Sequence, residues 1–260
     1  MSASHNPYQD NGIKIFAGSG YKLSDDEEAR IEGLILGGRL TSMVPHAREI
    51  GRAHRMEDAI GRYVVFLKNT FPRDLSMEGL KVAMDVGNGA TYKVAPAVFR
   101  ELGADVTVIH DRPNGLNIND RCGSQHTEEL RRVVQETGSA IGLAYDGDGD
   151  RLIAVDEAGR EIRGDQVLMI CATDLKRRDR LKNNLLVTTV MSNLGLRVAC
   201  DRLGIIHHAS AVGDRNVLED MQRLGGVLGG EDSGHMIFLD RHTTGDGTLS
   251  SLQLVATMLR

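Results

Sequence analysis

The run Tyr145-Asp146-Gly147-Asp148-Gly149-Asp150-Arg151 constrains this chain more than any other stretch, because it sets carboxylates at every second position with glycine between them. Like charges at that spacing repel one another unless a cation neutralises them. The glycines let the backbone turn sharply and gather the oxygens, an arrangement suited to a hard divalent ion such as Mg²⁺ or Ca²⁺. Apolar runs flank the acids, Ala140-Ile141-Gly142-Leu143-Ala144 before and Leu152-Ile153-Ala154-Val155 after, so the loop is expected between two strands. An EF-hand reading half succeeds. Asp146, Asp148, Asp150 and Glu157 match acidic positions of that loop, but Arg151 stands where its sharp turn needs glycine. A solvated acidic turn is the plain alternative, although a turn needs fewer such residues.

A chain of 260 residues has room for one to three domains, and 41% hydrophobic with 26% charged residues is the balance of a folded globular protein. The net charge of -5 offers no basic footprint for nucleic acid, which leaves small molecules or protein as partners and a metal to supply positive charge to an anionic substrate. Cys122, Cys171 and Cys200 are far apart and lack ligand spacing, as expected of reduced thiols in the cytoplasm. No apolar run reaches the roughly 18 residues of a membrane span, and Met1 is followed by Ser-Ala-Ser-His without a signal-peptide core.

In chain order, Ser2-Ala3-Ser4-His5-Asn6-Pro7 is a polar loop rich in hydroxyls, followed by the alternating Ile13-Lys14-Ile15-Phe16, which reads as a strand. Ser24-Asp25-Asp26-Glu27 forms a capping box for a helix with Ile31, Leu34 and Ile35 on one face, ending at Gly37-Gly38. Ile60, Tyr63, Val64 and Leu67 mark a second helix. From Lys81 the pattern becomes strand, Gly87-Asn88-Gly89 turn, helix, strand, and this alternation recurs to the end. It predicts α/β layers with mixed sheets, in two successive domains of similar size. The chain divides into residues 1–57, a linking helix over 58–77, a unit over 78–163 that carries the acid loop, and a unit over 164–260. A site loop at the very start and a closing helix with Leu249, Leu252, Val255 and Leu259 but no C-cap signal suggest truncation at both ends.

A third polar loop, Gly230-Glu231-Asp232-Ser233-Gly234-His235, presents a carboxylate, a hydroxyl and an imidazole suited to vicinal sugar hydroxyls or an amine. Together the three loops resemble, in order and spacing, the catalytic serine loop, metal loop and sugar-binding loop of the α-D-phosphohexomutase superfamily. Asp232, Pro113-Asn114-Gly115-Leu116-Asn117-Ile118-Asn119, Val190-Met191-Ser192-Asn193-Leu194-Gly195 and Val212-Gly213-Asp214-Arg215 are similar to its glucosamine branch rather than to its mannose and glucose branches. The resemblance implies successive three-layer α/β domains, with the first partly present, the second complete, the third incomplete and a fourth phosphate-gripping domain absent. It further implies a cytoplasmic isomerase that interconverts glucosamine 6-phosphate and glucosamine 1-phosphate, a step toward UDP-N-acetylglucosamine. Mg²⁺ would be the cofactor, glucosamine or glucose 1,6-bisphosphate the activator, and the full-length protein a candidate homodimer.

The chemistry these residues suit is phosphoryl transfer. A phosphoryl group on Ser4 is a dianion, and Mg²⁺ held by Asp146, Asp148, Asp150 and Ser4 would stabilise its charge. Lys14 is the first candidate for general acid or base, His5 the second, and Arg151 would clamp the phosphoryl oxygens. Glu231, Ser233 and His235 would bind the sugar. Two other readings stand beside this one: a haloacid-type phosphatase with Asp146 as nucleophile, which Asp150 fits poorly, and a Ca²⁺-binding module without catalysis.

Overall fold

The two sheets of this protein repeat one plan. In the computed structural model, which describes residues 2–260, β1 (Lys81–Asp85) lies between the parallel strands β2 (Asp105–Ile109) and β3 (Ile141–Tyr145), and β4 (Leu152–Asp156) turns back antiparallel on β3, with the short β5 (Glu161–Ile162) at the edge. The order is β2-β1-β3-β4-β5. The second sheet runs β7-β6-β8-β9, from β6 (Leu185–Thr189), β7 (Ile206–Ser210), β8 (Leu228–Gly230) and β9 (Met236–Phe238), with β9 turning back antiparallel on β8 as β4 does on β3. Met1, on which the reading of the chain's start rests, lies outside the described residues.

Side-chain alternation along each strand sorts residues between two helical layers. Ala83, Ala144 and Val155 face Leu130, Val133 and Val134 of α4 (Glu128–Thr137). Val82, Met84, Leu143 and Tyr145 face the other way, toward α2 (Ala59–Thr70) and α3 (Val94–Glu101). The second sheet does the same: Leu185, Val187 and Ile237 meet α7 (Asp214–Leu224), while Leu186, Leu228, Met236 and Phe238 face α5 (Gly164–Arg177) and α6 (Leu194–Leu203). These are the α/β/α layers expected from the alternation of apolar runs.

The two inner faces share one core rather than two. Helix α8 (Gly247–Met258) touches β3 and β4 of the first sheet, β9 of the second, and α2 and α5. Leu249, Leu252, Leu254 and Val255 are each 0–2% exposed. Burying four such side chains contributes on the order of 1.5–3 kcal/mol each before conformational entropy is counted. Polar groups are placed to suit. Asp246 caps α8 by accepting from the Leu249 amide at 2.9 Å and also takes the Tyr63 hydroxyl of α2, and the Tyr145 hydroxyl meets the Ser251 hydroxyl at 2.9 Å.

The amino-terminal part is built differently. Helix α1 (Asp25–Leu36) has the capping box read from Ser24 and Glu27, yet buries none of its residues. Residues 13–15 form no strand; only the isolated pairs Ser2–Gly12 and Phe16–Lys22 bridge here. Alternation alone does not make a strand, because the amide ladder needs a neighbour, and Ile13 remains 75% exposed. What anchors this part is charge: Lys22 pairs with Asp214, and Arg215 pairs with Asp25 and, at 2.8 Å, with Glu28. The Thr243 hydroxyl adds a bond of 2.9 Å to the Gly20 carbonyl.

Candidate active site

The fold puts both polar loops in equivalent places. The acid loop joins β3 to β4 and the loop Glu231-Asp232-Ser233-Gly234-His235 joins β8 to β9, so each is the turn of the antiparallel pair in its sheet. The two turns touch. Arg151 and His235 form an isolated antiparallel bridge, and the Leu152 amide donates to the Gly234 carbonyl at 3.0 Å. Gly234 has a φ of +94°, and any Cβ there would run into the Leu152 backbone, so only glycine allows this approach. The first turn of α8 closes the acid loop from behind, with the Gly247 amide 2.8 Å from the Gly149 carbonyl.

Asp146, Asp148 and Asp150 each offer a carboxylate oxygen within 4.8 Å of the others. Asp146 is fully buried; one of its oxygens takes the Arg151 amide at 3.1 Å. Asp146 Oδ2, Asp148 Oδ1 and Asp150 Oδ1 are buried and have no hydrogen-bond partner among the described residues. Unpartnered anionic oxygens converging at ligand distance fit a hard divalent cation. Burial, then the charges of Asp150 and Asp148, push the Asp146 carboxyl well above its usual range against the pull of Arg151. Burial acts the same way on Asp150, but His235, Lys14 and Arg151 outweigh it and hold that group below the ordinary carboxylate value.

The serine loop lies directly on this turn. The Ser2 hydroxyl donates to Asp148 Oδ2 at 2.7 Å and accepts the Ser4 amide at 2.9 Å. Ser4 Oγ is 3.4 Å from His5 Nδ1, and Ser4 sits in the left-handed region with a φ of +51°. Such backbone persists only where surroundings enforce it. Lys14 pairs with Asp148 and lies 3.3 Å from Asp150. Burial works against its charge, but the Asp148 hydrogen bond and the charges of Asp150 and Asp148 outweigh it and raise the Lys14 ammonium above its usual range. Burial, then the nearby Arg151 charge, lower the His5 imidazole and favour its neutral form. Arg151 thus acts on its neighbours by charge and through its backbone, while its amide, not its guanidinium, holds Asp146.

Gly147 is the contact point. A Cβ on it would lie 2.5 Å from the Ser4 carbonyl oxygen, 2.7 Å from Asn119 Nδ2 and 2.7 Å from Ile118 Cδ1. Gly147→Ala is therefore expected to lift the serine loop, lower the melting temperature and cost about 1–3 kcal/mol. Gly51→Ala, with nothing within 4 Å, is the control for thermal melts; equal behaviour of the two variants would contradict the contact.

In the third loop Glu231 and Ser233 are half-buried; the Glu231 carboxylate accepts the Gly213 amide at 3.0 Å, and the Ser233 hydroxyl lies 3.5 Å from that carboxylate. His235 is buried, its ring between Asp150 and Asp214 at 3.7 Å on either side. Asp232 turns away to Arg163, at 2.9 Å, and to the Asp165 amide, so it braces the loop rather than facing a ligand. A cavity of about 240 Å³ opens beside Lys22, Asp214, His235 and Thr243. A larger hollow of about 950 Å³ along α5 holds none of these residues. Ser2, Asn119, Lys22 and Asp214 belong to the site without having been singled out for it, because only contacts distant in sequence reveal them. Asp85, His110 and Cys122 also cluster, but both Asp85 oxygens accept backbone amides, of Gly87 and Gly123 at 2.9 Å, and the group ties loops together.

Family models for the phosphoglucomutase/phosphomannomutase α/β/α domains match in succession: domain I over residues 1–40, domain II over 61–159 and domain III over 163–260. A phosphoglucosamine mutase of Syntrophobacter fumaroxidans is 68% identical over 259 residues, and one of Syntrophus aciditrophicus 57% identical over 258. The alignments take in 100% and 99% of this chain and 58% of each relative, so the chain spans little more than half their length. Among solved structures, a phosphoglucomutase/phosphomannomutase family protein of Burkholderia thailandensis superposes with a TM-score of 0.81 at 26% identity, covering 98% of this chain and 54% of that one. The N-acetylphosphoglucosamine mutase of Aspergillus fumigatus, solved with GlcNAc-6P and magnesium, shares the fold with a TM-score of 0.73 at 16% identity, covering 99% and 69%.

Proposed function

This chain belongs to the phosphoglucomutase/phosphomannomutase family, and from that premise we propose that it carries the serine, metal and sugar loops of an enzyme that interconverts glucosamine 6-phosphate and glucosamine 1-phosphate. The observation that carries the reading is the docking of the Ser4 loop on the acid loop through Ser2, Asp148 and the bare backbone of Gly147. Contact between a serine loop and a cluster of carboxylates supports phosphoryl transfer to and from serine, which needs a nucleophilic hydroxyl and a divalent cation together. Bound by Asp146, Asp148 and Asp150, Mg²⁺ would supply positive charge to the group in transfer.

The chain's own residues account for the rest. Phosphorylated Ser4 gives its phosphoryl group to the free hydroxyl of the sugar monophosphate, the Oγ–P bond breaking as the new P–O bond forms and the hydroxyl proton passing to Oγ, which makes the 1,6-bisphosphate; once the sugar has turned end for end, Ser4 Oγ takes the phosphoryl group from the other position as that sugar O–P bond breaks. His5, at 3.4 Å, takes the serine proton, and Lys14 holds Asp148 and Asp150 in place while adding charge at the transferring oxygens. Glu231 and Ser233 face the sugar, with the Glu231 carboxylate matched to an ammonium at C2. Three free, buried cysteines accord with a cytoplasmic setting.

The test is a coupled assay on a chain extended to the relatives' full length, with Mg²⁺, bisphosphate and either glucosamine, glucose or mannose 6-phosphate. Glucosamine 6-phosphate is expected to give the highest kcat/KM by at least about tenfold, or 1.4 kcal/mol. Equal or greater turnover of mannose or glucose 6-phosphate would assign the protein to those branches instead.

A further inference from the structure

The asparagine-rich run Asn114-Gly115-Leu116-Asn117-Ile118-Asn119 belongs to none of the three site loops, yet it ends on the serine loop. Asn119 Nδ2 donates both hydrogens, to the Ser4 carbonyl and to the Asn6 carbonyl, each at 2.8 Å. These carbonyls flank His5, so a single amide group spans the backbone turn on which Ser4 and His5 stand. Asn119 is buried at 9% exposure, and its own amide donates to the Gly87 carbonyl at 3.0 Å. Behind it the run is braced from within: Asn117 and Asn114 exchange side-chain-to-amide bonds at 2.9 and 3.0 Å, and Asn88 links to the Asn117 carbonyl and the Arg112 amide.

We infer that Asn119 is a positioning residue for the phosphoryl-accepting serine, clamping the left-handed turn at Ser4, whose carbonyl lies against Gly147 of the acid loop. This deepens the proposed phosphoryl transfer and rests on that reading for its catalytic consequence. The residue type suits the task twice. Asn119 has a φ of +57°, a conformation asparagine and aspartate tolerate better than most side chains, and asparagine alone of those two offers two donors. The strain at Ser4 must be met by its surroundings, and the Asn119 amide satisfies both carbonyls that this turn directs inward. Asn119 touches neither the carboxylates of the acid loop nor Ser4 Oγ, so it acts through the backbone.

The experiment uses the 260-residue polypeptide, with Asn119→Asp, which keeps volume and backbone tolerance but presents oxygens to both carbonyls, and Asn119→Ala, which removes the group. Amide hydrogen exchange in peptides covering residues 2–12 is expected to speed up at least about tenfold in both variants, with exchange over 143–152 unchanged. With Mg²⁺ and saturating glucose 1,6-bisphosphate, the maximal rate of Ser4 phosphorylation is expected to fall at least about tenfold, while the bisphosphate concentration for half-maximal rate and the Mg²⁺ affinity stay within twofold. Exchange in residues 2–12 within twofold of the parent in both variants would overturn the clamp. So would a slower phosphorylation matched by an equal loss of Mg²⁺ affinity, which is what general loosening would produce. If the parent itself takes up no phosphate on serine, the proposed reaction falls, and the exchange arm alone decides the clamp.

Discussion

Ser4→Ala is expected to abolish phosphate uptake by this polypeptide, by at least about 10³-fold after exposure to hexose 1,6-bisphosphate and Mg²⁺. Removing the hydroxyl takes away the oxygen that lies 3.4 Å from His5 Nδ1. The rest of the site should persist, because the Ser4 contacts that hold the loop are made by its amide with Ser2 and its carbonyl with Asn119. Mg²⁺ affinity and melting temperature should therefore change little. Phosphopeptide mass spectrometry reads the outcome. A phosphoryl group on Asp146 in either protein would favour the phosphatase reading, and undiminished serine phosphate in the variant would place the nucleophile elsewhere.

Asp146→Asn should act in two opposite directions. One of three cation ligands loses its charge, so Mg²⁺ affinity is expected to fall about 100-fold or more, about 2.7 kcal/mol. The metal-free protein should become more stable. Asp146 is fully buried, and burial with two neighbouring carboxylates already penalises its ionised form. An asparagine keeps an acceptor for the Arg151 amide and turns an unpartnered oxygen into a donor toward Asp148 or Asp150. A gain of about 1 kcal/mol raises the melting temperature by about 2–4 °C for a protein of this size. Thermal melts with and without Mg²⁺, joined to titration calorimetry, measure both. A lower metal-free melting temperature, or unchanged Mg²⁺ affinity, would count against the acid loop as a charged cation site.

The individual loops were legible in the sequence because each is a local chemical pattern. Asp146, Asp148 and Asp150 announce a cation by spacing alone, and the alternation from Lys81 onward announces layered α/β units. Their convergence was not legible. Ser2 meets Asp148 across 146 positions and Asn119 meets Ser4 across 115, and nothing local in either residue encodes the partner. Local pattern also misled once. Ile13-Lys14-Ile15-Phe16 alternates as a strand does but bridges only at Phe16. Asp232, a marker of the glucosamine branch in the sequence, pairs with Arg163, a contact that the sequence does not announce. The equal placement of the two turns could be read only from strand order, since the sequences of the two turns share little beyond glycine and acid.

The shared helix α8 has a consequence for how the molecule comes apart. Its apolar side packs between the two sheets and its first residue grips the acid loop through Gly149, so neither sheet has a complete interior without it. The boundary between the second and third units is thus a seam within one cooperative body and no hinge. Protease cutting near Arg163 should fail to liberate a stable first sheet, and urea should melt both sheets in a single transition whose midpoint moves as one when a divalent ion occupies the loop.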